Sequence, residues 1–236
     1  MPIKLITFDF YNTLGRFKPS REQIQIEACR PFGIEVTLAG ISSGYRMADA
    51  FMAKEVARKP LRERSRDEVR TFFTEYERLV LQGNGVEVSH ELTGQIMRSV
   101  RSMSHGFELY EDVLESLEIL KMKGLTLGMI SNNEQTSQNF MASLGLQHHL
   151  DFAITSSDVG TVKPNPPIFI EALNKANVNP YEGVHVGDQY ETDIKGALSV
   201  GMKAILIDRD GLTEPSEDYP VISGLHEIYK VIDAIA

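Results

Sequence analysis

The sequence predicts an α/β protein: a doubly wound parallel sheet, interrupted after its first strand by an inserted block of helices. Three observations predict it. From residue 109 onward, short β-branched and apolar runs of strand length alternate with helical patterns. One further run of this kind, "IKLITFDF", stands at the start of the chain, far from the others. Between them, from about residue 15 to residue 107, helix signals dominate and strand signals are scarce.

The elements follow in order. "IKLITFDF" reads as a strand buried on both faces, ending in an acid, Asp9. The interval after it offers helical segments around 20–32, 38–58, 66–82 and 89–104, broken at Lys59-Pro60 and at Gly83-Asn84-Gly85. "YEDVLESLEILKMKG" spaces Val113, Leu114, Leu117 and Leu120 at helical intervals and stops at Gly124 after two lysines. Strands are then expected at Leu125–Ser131, Phe152–Thr155, Gly183–Asp188 and Lys203–Asp208. Helices "NEQTSQNFMASLGL", "PPIFIEALNKANV" and "ETDIKGALSVGM" separate them, and "LHEIYKVIDAI" closes the series. The chain thus divides into a core of residues 1–14 and 108–236 and an inserted helical domain of residues 15–107.

Composition narrows the function. A net charge of −9 argues against nucleic acid or an anionic membrane surface as a general partner, but not against a small anionic substrate. Local cations and backbone N–H groups decide that. The one cysteine, Cys29, has no partner for an internal disulfide and no metal-type neighbourhood, and reads as a bystander. Asp9 follows the first residue too closely for a secretory leader, and no apolar run approaches the ~18 residues that span a bilayer. A cytoplasmic protein, monomer or homodimer, is expected.

In open parallel sheets, ligands sit outside the carboxyl ends of the strands. Here the first strand ends in Asp9, the second in Ser131-Asn132-Asn133, and another in Asp188, with Asp193 five residues on. Lys163 precedes the helix "PPIFIEAL". Ser131, Asn132 and Asp193 could each merely cap a helix. Asp9 is harder to dismiss, because an acid that ends a buried strand must be paired, metal-bound or chemically used. The set suits displacement by a carboxylate. Asp9 would attack an electrophile, while Lys163 and Ser131 neutralise the transferring charge. Asp188 would repel Asp9 unless a cation lies between them, and a few hard oxygen ligands completed by water suit Mg2+.

In that order, "DFYNTL", "ISNN", "VKPNPPIF" and "VGDQYETD" resemble the motifs of the haloacid dehalogenase superfamily of hydrolases. The resemblance covers nearly the whole chain. It implies a Rossmann-like core, with residues 15–107 as a helical cap. It further implies Asp9 as nucleophile, Thr13 holding the loop after the strand, and Ser131, Asn132 and Lys163 around the phosphoryl group. Mg2+ would be held by Asp9, by the backbone carbonyl of Tyr11 and by Asp188, with Asp193 acting directly or through water. Arg46, in "SGYRMADAF", is the counterpart of a substrate-gripping cap arginine.

One position departs from the phosphatase pattern. Most phosphatases of the superfamily carry an aspartate where Tyr11 stands, and that acid protonates the leaving oxygen. The 2-haloacid dehalogenases have tyrosine there, since a halide leaves without a proton. Yet the metal-free dehalogenases replace Asp188 by serine, put asparagine at Tyr190 and tyrosine at Phe169. Three clustered acids without a cation would raise a carboxylate pKa and weaken the nucleophile. A Mg2+-dependent phosphatase whose substrate has a good leaving group is therefore expected ahead of a metal-independent dehalogenase. A third reading is a relative that binds Mg2+ and an anion but no longer turns over.

Overall fold

In a computed structural model, described over residues 2–211 and 213–235, the chain forms two units, 1–16 with 107–236, and 17–106. The first holds a six-stranded sheet of β1 (Leu5–Phe8), β4 (Thr126–Ser131), β5 (Phe152–Thr155), β6 (Gly183–Gly187), β7 (Lys203–Ile207) and β8 (Val221–Ile222). Two short strands, β2 (Gly15–Lys18) and β3 (Gly106–Leu109), pair separately where the chain leaves this unit and returns.

The large sheet runs β5-β4-β1-β6-β7-β8, and every neighbouring pair is parallel. Leu5, Ile6, Thr7 and Phe8 of β1 are fully buried, which explains why the strand reads as an unbroken apolar run rather than an alternation. One face packs Ile6, Phe8, Leu127, Met129 and Val184 against the helices Val113–Met122 and Ile228–Ile235. The other packs Leu5, Ile130 and Ile154 against Ile168, Phe169 and Leu173 of the helix Pro166–Ala176. Burying each such side chain stabilises the fold by about 1.5–3 kcal/mol. The chain passes from β1 to β4 and β5 on one side, then crosses to β6 on the other. The carboxyl ends of β1, β4 and β6 therefore meet at a switch in strand order, where such sheets form sites.

The six strands agree with the fold class read from the sequence, with β8 as the addition. The helix expected over "ETDIKGALSVGM" begins instead as a π-helical turn at Tyr190–Ile194 before an α-helix at Lys195–Ser199. No helix among the described residues is long and apolar enough to cross a membrane.

The second unit is helical: Arg21–Cys29, Leu38–Arg58, Arg66–Gln82 and His90–Ser102. Each starts at a hydroxyl cap. Ser20 and Ser65 form reciprocal capping boxes with Gln23 and Glu68, Thr37 accepts from Gly40 N, and Ser89 accepts from Leu92 N. The two long helices pack closely at Gly44, where an added Cβ would lie 2.0 Å from the Val80 carbonyl oxygen. Inside this unit Glu77, 1% exposed, accepts a hydrogen bond from Gln25 Nε2 at 2.5 Å. Burial pushes its carboxyl up to about 7, and the Gln25 bond only partly offsets this.

A pH dependence follows. The folded protein keeps the Glu77 proton to higher pH than the unfolded chain does. The stability this lends is complete below the ordinary carboxylate range and is lost as pH rises through about 7. Glu77→Gln keeps the acceptor and removes the titration. We expect the variant to gain roughly 2–3 kcal/mol relative to the parent between pH 5 and pH 8, measured by denaturant unfolding at each pH.

Candidate active site

The site is built at the ends of three neighbouring strands. Asp9 follows β1, and its N–H donates to Val186 O at 2.8 Å, which extends the ladder with β6 by one residue. The chain then turns. Thr13, Leu14 and Gly15 all donate their N–H groups to Phe10 O, while the Phe10 ring is anchored edge-on against Phe107 and Phe140. Asn12 takes a left-handed conformation, φ 58°, which asparagine tolerates, and donates its Nδ2 to Asp188 Oδ2 at 3.3 Å. Tyr11 is half-buried and packs against the core.

Lys163 is the centre of the arrangement. Only 3% exposed, its Nζ donates to Asp9 Oδ1 at 2.5 Å and to Asp193 Oδ1 at 2.6 Å. Its main chain is clamped by Asn132: the Lys163 N–H donates to Asn132 Oδ1 at 2.7 Å, and Asn132 Nδ2 donates to Lys163 O at 3.2 Å. Asp193 is held on both oxygens. Oδ2 accepts from Gln189 N at 3.0 Å, and Oδ1 lies 3.3 Å from His185 Nε2. Its carboxylate can come this close under β6 because Gly187 has no side chain. A Cβ there would stand 2.3 Å from Asp193 Cγ. Gly187→Ala should therefore force Asp193 off Lys163 and cost about 1–3 kcal/mol in denaturant unfolding.

The charges do not balance. Oxygens of Asp9, Asp188 and Asp193 all lie within 4.8 Å of one another, and among the described residues Lys163 is the one cation hydrogen-bonded to them. Burial raises the Asp9 carboxyl, and Asp193 adds to this, while Lys163 opposes it. Asp188 is held well above the carboxylate range by burial and then by the charges of Asp9 and Asp193, against the Asn12 hydrogen bond and the charge of Lys163. For Asp193, burial is outweighed by Lys163 and His185, so it is held low; for Lys163, burial is outweighed by the two acids, so it is held high. Lys163 and Asp193 thus form a satisfied pair. Asp9 and Asp188 keep a surplus of negative charge on hard oxygen donors, which a divalent cation of the Mg2+ type fits.

The expected residues fall into three groups. Asp9, Lys163, Asp188 and Asp193 are brought together. Ser131 and Asn132 end β4 beside them: Ser131 is buried with no hydroxyl hydrogen bond among the described residues, whereas the Asn132 amide is committed to the Lys163 backbone. Arg46 lies in the other unit, exposed on the helix Leu38–Arg58. Thr13 is fully buried, and its hydroxyl has no partner among the described residues. Its carbonyl, however, accepts from Arg209 Nη2 at 2.7 Å and Nε at 3.1 Å. Arg209 also pairs with Asp112 and stacks 3.8 Å from the Tyr110 ring centroid.

Three of these residues escape sequence reasoning. Arg209 is nearly two hundred residues from the loop it pins, Asn12 reveals itself only through its φ, and His185 sits inside an apolar strand. The only signal was a polar residue within the run "GVHVGD".

Comparisons with known proteins agree on one family. A model described as haloacid dehalogenase-like hydrolase matches residues 3–201. The haloacid dehalogenase-like hydrolase domain-containing protein 3 of Homo sapiens is 27% identical over 209 residues, 88% of this chain and 82% of the human protein. The glyceraldehyde 3-phosphate phosphatase of Methanothermobacter thermautotrophicus is 39% identical over 128 residues, 54% of this chain and 55% of that enzyme. The crystal structure of a 2-haloacid dehalogenase from Pseudomonas syringae is similar at TM-score 0.58 and 26% identity, covering 99% of this chain and all of that one.

Proposed function

The chain belongs to the haloacid dehalogenase-like hydrolases, and from that premise we propose that it is a Mg2+-dependent phosphatase with Asp9 as its nucleophile. The observation that carries this is Asp188. A half-buried carboxylate set beside Asp9 with one amide donor is costly unless a cation is to be held there. Asp9, the Tyr11 carbonyl and Asp188 would hold the metal, with Asp193 acting directly or through water. Bound there, Mg2+ supplies positive charge against the phosphoryl oxygens. The similarity to a glyceraldehyde 3-phosphate phosphatase supports phosphoryl over haloacid chemistry.

Asp9 attacks phosphorus, and its new O–P bond forms as the bond to the leaving oxygen breaks. Lys163 shares its ammonium between Asp9 and the incoming phosphoryl oxygens, and the unpaired Ser131 hydroxyl donates to the same group. Water then attacks phosphorus and releases Asp9. As part of this reading, the helical block of residues 15–107 is the cap and Arg46 its anion-binding cation.

Tyr11 restricts the leaving group. A phenol with a reference pKa of about 10 is a poor substitute for the carboxyl that protonates an alkoxide and later activates water. Absence of that carboxyl costs about 10²–10⁴ for an alcohol leaving group. Acyl and aryl phosphates need no such proton, so they are the expected substrates. The test is a panel of acyl, aryl and alkyl phosphates assayed with parent and Tyr11→Asp. The parent should favour the first two, and the variant should gain about 10²-fold on alkyl phosphates. Equal parent rates across the panel, with no gain in the variant, would remove this account of Tyr11. The same residue favours one other reading, the haloacid dehalogenase, which needs neither the proton nor the metal.

A further inference from the structure

We propose that His185 is a positioning residue: an imidazole that donates from Nε2 to Asp193, ties that carboxylate to the central sheet and so sets Lys163 against Asp9. His185 is fully buried on β6, directly across from Thr7 in the register with β1. Its Nδ1 lies 2.9 Å from Thr7 Oγ1 and its Nε2 3.3 Å from Asp193 Oδ1. The edge of its ring meets the Phe169 ring at 5.2 Å, the planes at 87°.

The proton positions follow from the partners. Asp193 Oδ1 already accepts from the Lys163 ammonium, so it belongs to a carboxylate and can only accept. Nε2 must then donate. Nδ1 faces the Thr7 hydroxyl at 2.9 Å, and that hydroxyl also donates toward Val184 O at 3.4 Å. The arrangement closes with Nε2–H donating to Asp193.

The consequence lies in what holds Asp193. Its other donors are Lys163 itself and the backbone of Gln189, in the loop after β6. His185 alone among them ties the carboxylate to a side chain fixed in the sheet's interior. Since one Asp193 oxygen serves both His185 and Lys163, a swing of that carboxylate displaces the ammonium from Asp9. A misplacement of about 1 Å at such a centre costs up to ~10²-fold in rate. Phe169 supports the arrangement by packing against the ring.

The effect on rate rests on the phosphatase reading; the Nε2 proton does not. The test is therefore double. Nitrogen-15 spectra of the imidazole in the parent, recorded without substrate, should show a proton on Nε2. In the phosphatase assay, His185→Phe keeps an aromatic body against Phe169 but removes the donor. It should lose about 10–100-fold in kcat with KM nearly unchanged. His185→Gln, whose Nε2 can reach the same oxygen, should recover most of it. A bare Nε2 in the parent would overturn the proposal even if the variants fail to fold. So would His185→Phe with parental kcat, or His185→Gln no better than His185→Phe at equal Tm. A parent that hydrolyses no phosphoryl substrate would refute the function and leave the spectral test to decide on His185.

Discussion

Asp9→Asn is expected to abolish turnover, by at least about 10⁴-fold, while leaving the fold as stable as before or more so. The first half follows from chemistry. An amide cannot form the covalent O–P bond, and loss of a nucleophile from a cooperating set removes nearly all of the catalysis. The second half follows from the electrostatics. Burial and the neighbouring Asp193 hold the Asp9 carboxyl above its ordinary range despite Lys163, so its charge opposes folding at neutral pH. Its removal also relieves Asp188, on which Asp9 is the leading charge. Unfolding and kinetics should therefore move in opposite directions. Retained activity would mean that the nucleophile lies elsewhere, and a large loss of stability would mean that Asp9 serves the fold.

Asp188→Asn is expected to separate metal binding from the rest of the site. In the parent, Mg2+ at a hundred times its Kd should raise stability by about 2.7 kcal/mol, and EDTA should remove the gain. The variant should lose that response and most activity. Its fall in Mg2+ affinity should exceed the roughly 10–100-fold that loss of an outer partner costs. Without metal it should be no less stable than the parent, because it no longer buries a carboxylate among two others. A parent unaffected by Mg2+ would leave the Asp9–Asp188 juxtaposition without its proposed purpose.

Most of the architecture was legible because each large strand is either wholly apolar or nearly so, and each helix of the second unit begins at a serine or threonine cap. The pair Gly15–Lys18 and Gly106–Leu109 was not. Four residues each are too short for a strand period to register, and their partnering spans about ninety residues. The π-helical turn at Tyr190–Ile194 was not legible either, since its residues suit an α-helix equally; Asp193 N–H and Ile194 N–H both turn to Gln189 O there.

The site divides the same way. Asp9, Lys163, Asp188 and Asp193 stand out because buried charges need a reason, and strand ends are where an open sheet binds. What escapes is the support around them: the Asn132 clamp on the Lys163 backbone, the Arg209 grip on Thr13 O, and His185 on Asp193. Each depends on a contact between distant residues that no local spacing encodes. The family resemblance placed Asp193 with the metal ligands. The structure engages it with Lys163, His185 and the Gln189 backbone and also sets its carboxylate in one acidic group with Asp9 and Asp188.

The central claim is that this acid cluster serves metal-dependent phosphoryl transfer. It is tested most directly by assaying p-nitrophenyl phosphate and L-2-chloropropionate side by side, each with Mg2+ and with EDTA. Phosphate release that requires Mg2+ and stops in EDTA, with no chloride release, is the predicted result. Chloride release indifferent to EDTA, or silence on both substrates and on the wider panel of phosphates, would contradict it.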